Sequence, residues 1–182
     1  MSRLNIETMT TAEYKKTGHL ISIDYGFHQT KFGNCLLGMT DNKICYLAFP
    51  NNKFFALQEM QDEWSKSKLI EKPVETAKVV KELFNKDSSR KISLLLKGTP
   101  FQISVWQILA QVPYGDKISY EAVAQKTGNI KAVRAVSNAI ASNEISYLIP
   151  CHRIIKKSGE FHKYRWGADL KRQLLEWESL KV

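Results

Sequence analysis

Short apolar runs bounded by polar residues dominate the first half of the chain. Four of them have the length and composition of β-strands, namely HLISIDYG, GNCLLGM, KICYLAF and KISLLLKG. Polar residues 41–43 supply a turn between the second and third runs. Between the third and fourth, FFALQEMQDEW and PVETAKVVKELFN carry apolar residues at helical spacing, and Pro73 suits the first position of the second helix. Residues 1–98 are therefore predicted to form an α+β domain.

The pattern becomes helical after the Gly-Thr-Pro sequence at residues 98–100. In FQISVWQILAQ, Phe101, Val105 and Leu109 share one stripe, with Trp106 beside it, which predicts an amphipathic helix. This change of character marks a domain boundary, so residues 99–182 are predicted to form a second domain.

Two more helices are predicted after the turn VPYGD. ISYEAVAQKTG has Ser119 as an N-cap and Gly128 as a C-terminal stop, and NIKAVRAVSNAIAS follows directly. Two helices joined by a tight glycine turn make a helix-turn-helix candidate. An αα-hairpin that only packs a core fits the pattern equally well, so both interpretations stay open at this point.

The last of these helices carries a low face of small residues. Ala132, Ala135 and Ala139 form that face, and Lys131 and Arg134 are the long cations that project from it. Such a helix can approach a nucleic-acid duplex closely. The alternative is a solvated pair of charges on a helix packed through its alanines.

The overall charge favours a polyanionic partner. The chain has 182 residues and a formal net charge of +9. Its hydrophobic fraction of 43% is typical of a globular protein. A basic surface indicates nucleic acid, although charge alone is a weak signal. The polar start has no signal-peptide core and no apolar run has the length of a membrane span, so a cytoplasmic protein without a membrane partner is expected.

The three cysteines, Cys35, Cys45 and Cys151, argue against a disulfide framework because their number is odd and no CxxC occurs. Cys35 and Cys45 lie in strand-like runs, where buried thiols acting as small hydrophobes are expected. A metal site that combines them with His19 or His28 is the alternative, and no metal-ligand spacing supports it.

Cys151 lies in a different setting, within ISYLIPCHRII and after Asn143. The run is strand-like, and Pro150 is expected to place Cys151 at a strand end. A cysteine nucleophile needs a histidine base and nearby cations to lower the pKa of its thiol, and His152 and Arg153 supply both types of group. Because neighbouring residues point in different directions, a water bridging Cys151 and His152 is expected rather than direct contact.

These motifs resemble the O6-alkylguanine-DNA alkyltransferases, which are methylated-DNA–protein-cysteine methyltransferases. The likeness covers residues 101–178 and rests on FQISVWQ, ISYEAVA, KAVRAVSNA, N-x7-C, IPCHR, YRWG and LLEWE in that order. It implies direct-reversal DNA repair by a single-turnover enzyme, in which the alkyl group of O6-alkylguanine in double-stranded DNA passes irreversibly to Cys151. The resemblance leaves O4-alkylthymine open as a second substrate, and implies a monomer that needs no cofactor. Some relatives hold a structural zinc, but its ligand pattern is not visible in this sequence, so no metal ligand is assigned and a metal in the first domain stays open.

The resemblance also implies catalytic roles. Cys151 would be the alkyl acceptor, and His152, polarised by Glu178, would draw off the thiol proton through a water. Asn143 would brace the turn that presents the cysteine. Tyr120 would donate a hydrogen bond to the guanine as it leaves.

DNA-binding and base-pocket residues are implied in the same way. Arg134 would be the finger that replaces the flipped nucleotide in the stack, on a helix that enters the minor groove. The other DNA-binding residues would be Lys131, Ala132, Ala135 and Ser119. The wall of the base pocket would be formed by Ile154, Phe161, Tyr164 and Arg165.

Two features depart from the family pattern. His162-Lys163 precede Tyr164 where the family usually has glycine, and Leu170 stands where arginine is frequent. Neither change touches Cys151, so activity is expected to persist, while the range of accepted alkyl groups stays open.

For the fold, the resemblance implies a small ribonuclease-H-like domain over residues 1–98 and a winged helix-turn-helix-like alkyltransferase domain over residues 99–182. Residues 1–18 resemble the linker that precedes this half in bifunctional Ada-type regulators, where an AraC-type DNA-binding domain comes first. A separate AraC-type regulatory domain or protein is therefore an open partner.

Three other functions fit parts of the pattern. A non-catalytic module that recognises lesions would not need Cys151, His152 and Glu178. A sequence-specific regulator would need more base-reading side chains than the alanine-rich helix offers. A cysteine hydrolase of small substrates would need neither Arg134 nor the helix-turn-helix.

Overall fold

A six-stranded mixed sheet is the centre of the first of two structural units, Met1–Gly98 and Thr99–Val182. The computed structural model describes residues 4–85, 91–158 and 164–179. The elements of the first unit are β1 (Leu4–Thr10), α1 (Thr11–Thr17), β2 (Ser22–Thr30), β3 (Gly33–Thr40), β4 (Lys43–Ala48), α2 (Lys53–Glu63), β5 (Lys68–Glu71), α3 (Pro73–Leu83) and β6 (Ile92–Gly98).

The strand order in this sheet is β1-β6-β4-β3-β2-β5. Strands β2, β3 and β4 form an antiparallel meander, β5 is parallel to β2, and β6 is parallel to both β1 and β4. Asp41 and Asn42 join β3 to β4 with φ of 47° and 61°, the left-handed pair that a two-residue hairpin requires. The four predicted strands and two predicted helices are confirmed.

Buried thiols lie at the centre of this sheet. Cys35 on β3 is 0% exposed and Cys45 on β4 is 1% exposed, which confirms that both act as small core residues. Burial raises the pKa of Cys35 to about 12, so its thiol stays neutral.

The linker expected over residues 1–18 is wrong for residues 4–17. Leu4–Thr10 pairs in parallel with β6 along its whole length, and α1 follows without a break. The physical reason is a capping box: the Thr10 hydroxyl accepts from the Glu13 backbone while the Glu13 carboxylate accepts from the Thr10 N–H at 2.6 Å. The sequence T-x-x-E carried that signal.

The second unit is mainly helical. Its elements are α4 (Pro100–Ala110), β7 (Ile118–Ser119), α5 (Tyr120–Lys126), α6 (Val133–Ala141), β8 (Ile154–Ile155) and α7 (Ala168–Ser179). Val105, Trp106 and Leu109 form the buried face of α4, as predicted, but Phe101 is 37% exposed. Phe101 lies in the first turn of α4, at the end of the stripe, where its side chain is only partly covered.

Helices α5 and α6 are joined by a turn rather than being directly continuous. Ser119 caps α5, since its hydroxyl accepts from Ala122 N at 3.1 Å, and Gly128 follows the helix with φ of 83°. A 3-10 turn, Ile130–Ala132, then precedes α6. The predicted cap and stop are confirmed, and the third predicted helix begins later than its sequence pattern indicated.

Candidate active site

Asn143 organises the segment that carries Cys151, named here the cysteine loop (residues 143–153). Its side chain is 1% exposed; Nδ2 donates to Ile149 O at 3.0 Å and to Cys151 Sγ at 3.2 Å, and Oδ1 accepts from Ile145 N at 3.0 Å. The strand expected over ISYLI is therefore wrong. A side chain that bonds the local backbone competes with a strand ladder, and the segment folds into tight turns in which Tyr147 has φ of 66°.

Cys151 begins a 3-10 turn, Cys151–Arg153, that leads into β8, rather than ending a strand. It is 4% exposed, and burial raises the pKa of its thiol, although the hydrogen bond from Asn143, the contact with the Tyr164 hydroxyl and the charge of Lys171 oppose this. The resting side chain is therefore a neutral thiol that needs a base to become a nucleophile.

His152 is paired with Glu178 from α7. Nε2 of His152 lies 2.9 Å from Oε1 of Glu178, and both side chains are 0% exposed. Burial lowers the pKa of His152, against the opposing effect of Glu178, so the ring is neutral. Because an ionised carboxylate only accepts, Nε2 carries the proton and Nδ1 is an acceptor. Nδ1 has no hydrogen-bond partner within the described part of the chain.

Arg153 holds Glu178 from the other side. Its Nε and Nη2 donate to the two carboxylate oxygens at 2.9 and 2.8 Å, and Nη1 donates to Val112 O. Burial opposes ionisation of Glu178, but the bonds from His152 and Arg153 outweigh it and lower its pKa to about 2. The expectation that Arg153 supplies a cation to the thiol is thus wrong, because its guanidinium is directed to Glu178.

The cation whose charge acts on the thiol is Lys171, which the sequence pattern did not indicate. Lys171 is 1% exposed on α7 and its Nζ donates to Ile154 O at 2.6 Å. Burial lowers its pKa, and Cys151 opposes this. Its position seven residues before Glu178, two helical turns along α7, was the available signal.

Tyr164 approaches the thiol from the segment before α7. Its hydroxyl lies 4.0 Å from Cys151 Sγ and 3.1 Å from the hydroxyl of Ser146, which is 0% exposed. Burial raises the pKa of Tyr164 well above its ordinary value, and Cys151 adds to this. Tyr120, the first residue of α5, is half-buried, and burial together with Cys151 raises its pKa as well. Both tyrosines are therefore hydroxyl donors at neutral pH.

The proposed DNA-binding residues lie on and before α6. Arg134, Lys131 and Ala135 are exposed, while Ala132 is half-buried. Ala139 does not share their face: it is 3% exposed, and its carbonyl accepts from Trp106 Nε1 at 2.7 Å. The low face of α6 is therefore smaller than the alanine pattern predicted.

The proposed base-pocket residues have different environments. Ile154 is 0% exposed in β8, and Arg165 is exposed with its guanidinium 5.6 Å from the centre of the Trp166 ring. Phe161 and His162-Lys163 lie outside the described residues. Leu170, at the second departure from the family pattern, is 8% exposed.

The part of the chain that the structure describes contains neither a metal-binding cluster nor a membrane-spanning helix. Among residues 4–85, 91–158 and 164–179, no three or more His, Cys, Asp or Glu side chains are grouped so that they could hold a metal ion. Within the same ranges, no helix is both long and apolar enough to cross a lipid bilayer.

Known proteins share this arrangement of sequence and fold. The sequence model of one protein family, the DNA-binding domain of 6-O-methylguanine DNA methyltransferase, matches residues 100–180 of this chain. The chain superimposes on the crystal structure of Mycobacterium tuberculosis O6-methylguanine methyltransferase with a TM-score of 0.72 and 27% identity, covering 88% of this chain and 94% of that one. The M. tuberculosis protein in complex with DNA matches with the same TM-score and identity, over 87% of this chain and 94% of that one.

Curated relatives match over nearly the whole chain. It is 31% identical over 177 residues to the bifunctional transcriptional activator/DNA repair enzyme Ada of Escherichia coli, covering 94% of this chain and 49% of Ada, so it spans about half of that protein. It is 32% identical over 156 residues to the methylated-DNA–protein-cysteine methyltransferase of Methanosarcina acetivorans, covering 85% of this chain and 97% of that protein. The chain therefore belongs to the methylated-DNA–protein-cysteine methyltransferase family.

Proposed function

We propose that this protein repairs DNA by transferring the alkyl group of O6-alkylguanine to Cys151. The observation that carries the proposal is a buried neutral thiol next to a histidine whose Nε2 is held by Glu178 and whose Nδ1 is an acceptor with no partner among the described residues. The names of the relatives, methylated-DNA–protein-cysteine methyltransferases among them, support the same chemistry.

The reaction is a single displacement in two steps. The Cys151 thiol first loses its proton, through a bridging water, to Nδ1 of His152, and the resulting imidazolium is stabilised by Glu178. The thiolate then attacks the alkyl carbon: the S–C bond forms, the C–O6 bond breaks, and the electron pair goes to the guanine. Tyr120 donates a hydrogen bond to the leaving base. The thioether has no carbonyl for water to attack, so each molecule acts once.

DNA is engaged through α6 and the turn before it. A guanine inside a duplex cannot reach a buried thiol, so it must be flipped out at a cost of about a few kcal/mol. We assign Arg134, exposed on α6, to the space that the flipped nucleotide leaves. Lys131 neutralises phosphate, and the remaining contacts come from Ala132, Ala135 and Ser119. The complex of the M. tuberculosis protein with DNA supports DNA as the partner.

The flipped base is received between the cysteine loop and the segment before α7. Tyr164 contributes its ring and hydroxyl, and Ile154 supports the wall from β8. We assign Phe161 and Arg165 to the wall of the same base pocket. Arg165 is exposed and is assigned to the edge of that pocket.

We also infer the finer fold classes. The meander β2-β3-β4, followed by a helix and the parallel strand β5, supports a ribonuclease-H-like first domain. Helices α5 and α6 around Gly128 support a winged helix-turn-helix-like second domain, and residue 98 is the proposed boundary.

The mass of the intact protein tests the function. After incubation with a duplex that contains one O6-methylguanine, the expected gain is about 14 Da, one methyl in place of one hydrogen, on the Cys151 peptide. Cys151→Ser should bind the duplex and gain nothing, whereas Cys45→Ala should gain the same mass as wild type. An unchanged wild-type mass with DNA still bound would favour a lesion-recognition module instead, and a gain in Cys151→Ser would move the acceptor elsewhere.

A further inference from the structure

The hydroxyl of Ser146 is buried beside the hydroxyl of Tyr164. Ser146 is 0% exposed, and its Oγ lies 3.1 Å from Tyr164 Oη, which in turn lies 4.0 Å from Cys151 Sγ. We propose that Ser146 is a positioning residue that directs the proton of the Tyr164 hydroxyl toward the sulfur of Cys151. This inference rests on the proposed function, since it concerns the thiolate that attacks the alkyl group.

The order of donors along this chain of atoms decides what Tyr164 can do. Each hydroxyl has one proton and can accept as well as donate. In the resting state the neutral Cys151 thiol donates to the Tyr164 oxygen. Once the thiol has lost its proton and Ser146 donates to that oxygen, the Tyr164 proton is left for the thiolate. Without Ser146, that hydroxyl can turn away, because its other hydrogen-bond contact among the described residues, Cys151 Sγ, lies 4.0 Å away, at the outer limit of a sulfur hydrogen bond.

The fold holds Ser146 in place independently of Tyr164. Its carbonyl accepts from Leu148 N at 2.7 Å, around the left-handed residue Tyr147, and the loop is braced by Asn143. Tyr164 is held from its own side, because its carbonyl accepts from Gly167 N at 3.0 Å. The two hydroxyls therefore meet by backbone placement, and a side chain at residue 146 without a hydroxyl would leave the Tyr164 proton undirected.

Other groups also act on Cys151 and must be held constant in a test. Among the described residues these are Lys171, Tyr120 and Asn143, together with the neighbouring His152 and its partner Glu178. None of them contacts Ser146 in a hydrogen bond that the structure records, so Ser146→Ala leaves them in place.

The test is a double-mutant cycle read as the pH profile of single-turnover methyl transfer. Ser146→Ala should slow transfer about threefold at neutral pH and move the alkaline rise of the rate up by about half a pH unit. In a Tyr164→Phe background the same substitution should change nothing further. Ser104→Ala, which removes a hydroxyl that donates to Phe101 O in its own helix, is the matched control and should behave as wild type.

An unshifted profile in Ser146→Ala, or an equal slowing in the Tyr164→Phe background, would overturn the positioning role. A wild-type protein that transfers no methyl group would instead overturn the proposed function. In that event the pH dependence of Cys151 alkylation by iodoacetamide, followed by peptide mass, still tests the geometry: Ser146→Ala should move its midpoint upward, and an unmoved midpoint would contradict it.

Discussion

His152 Nε2 lies 2.9 Å from Glu178 Oε1, and neither side chain is exposed to solvent. The same carboxylate accepts two hydrogen bonds from Arg153. One buried negative charge therefore both orients the base of the proposed reaction and neutralises a buried arginine. Such a carboxylate is costly to bury and more costly to leave unpaired. Its removal is therefore expected to affect stability and transfer together.

Glu178→Gln should lower the free energy of unfolding at pH 7 by about 3 kcal/mol, because Arg153 then keeps its charge without a counter-ion. The pKa of Glu178 is lowered from 4.5 to about 2, so its stabilisation is complete above pH 4.5 and is lost as the pH falls toward 2. Urea unfolding at a series of pH values should therefore show less acid destabilisation in Glu178→Gln than in wild type.

Glu176→Gln is the matched control for this experiment. Glu176 is exposed on the same helix, so its substitution should change neither the stability at pH 7 nor the acid dependence. If the two variants lose the same free energy of unfolding as the pH falls, the buried Glu178 carboxylate is not the cause of the acid destabilisation.

The acid midpoint of the transfer rate should lie below the ordinary pKa of histidine. Burial lowers the pKa of His152 from 6.5, so the neutral ring that accepts the thiol proton persists to lower pH. Single-turnover rates measured from pH 5 to 8 should therefore fall to half their neutral value at a pH below 6.5. His152→Gln should bind DNA normally and transfer about 100-fold or more slowly. A midpoint at or above pH 6.5 would mean that the imidazole is not desolvated during the reaction.

Arg134→Ala should separate base flipping from chemistry. Repair of a duplex should fall by more than about tenfold, since the vacated stack is then unfilled, while reaction with free O6-methylguanine base should change less than about twofold. Arg172→Ala, which removes an exposed arginine from α7, is the control and should leave both rates unchanged. Equal losses on duplex and free base would refute the finger role.

Asn143→Ala should destabilise the cysteine loop by about 2 kcal/mol, because the backbone groups of Ile145 and Ile149 lose their buried partner. Thermal unfolding measures the loss, and hydrogen exchange at the Ile145 amide should locate it. Asn138→Ala, at an exposed asparagine of α6, should leave the melting temperature unchanged. If Asn143→Ala speeds hydrogen exchange elsewhere in the chain but not at the Ile145 amide, the bracing role is contradicted.

Local signals carried much of the fold. The Ser119 cap, the Gly128 stop and the turn at residues 41–43 depend on neighbouring residues, so they could be predicted from short segments. Residues 4–17 are not a linker, because Leu4–Thr10 pairs with β6 and the capping box at Thr10 starts α1 directly after it. The strand expected in the cysteine loop failed because apolar composition does not reveal a side chain that bonds its own backbone.

By itself, the sequence determined which residue is the candidate nucleophile, because the order of motifs around Cys151 is specific to one family. It also determined that Cys35 and Cys45 are core thiols. Only the tertiary structure decided that Arg153 faces Glu178, that Lys171 is buried where its charge acts on the thiol, and that Ser146 meets Tyr164. The hydrogen bonds behind these relationships join residues 17–25 positions apart in the sequence. The direction of a side chain and the loss of water around it are set only when the helices, strands and loops pack together.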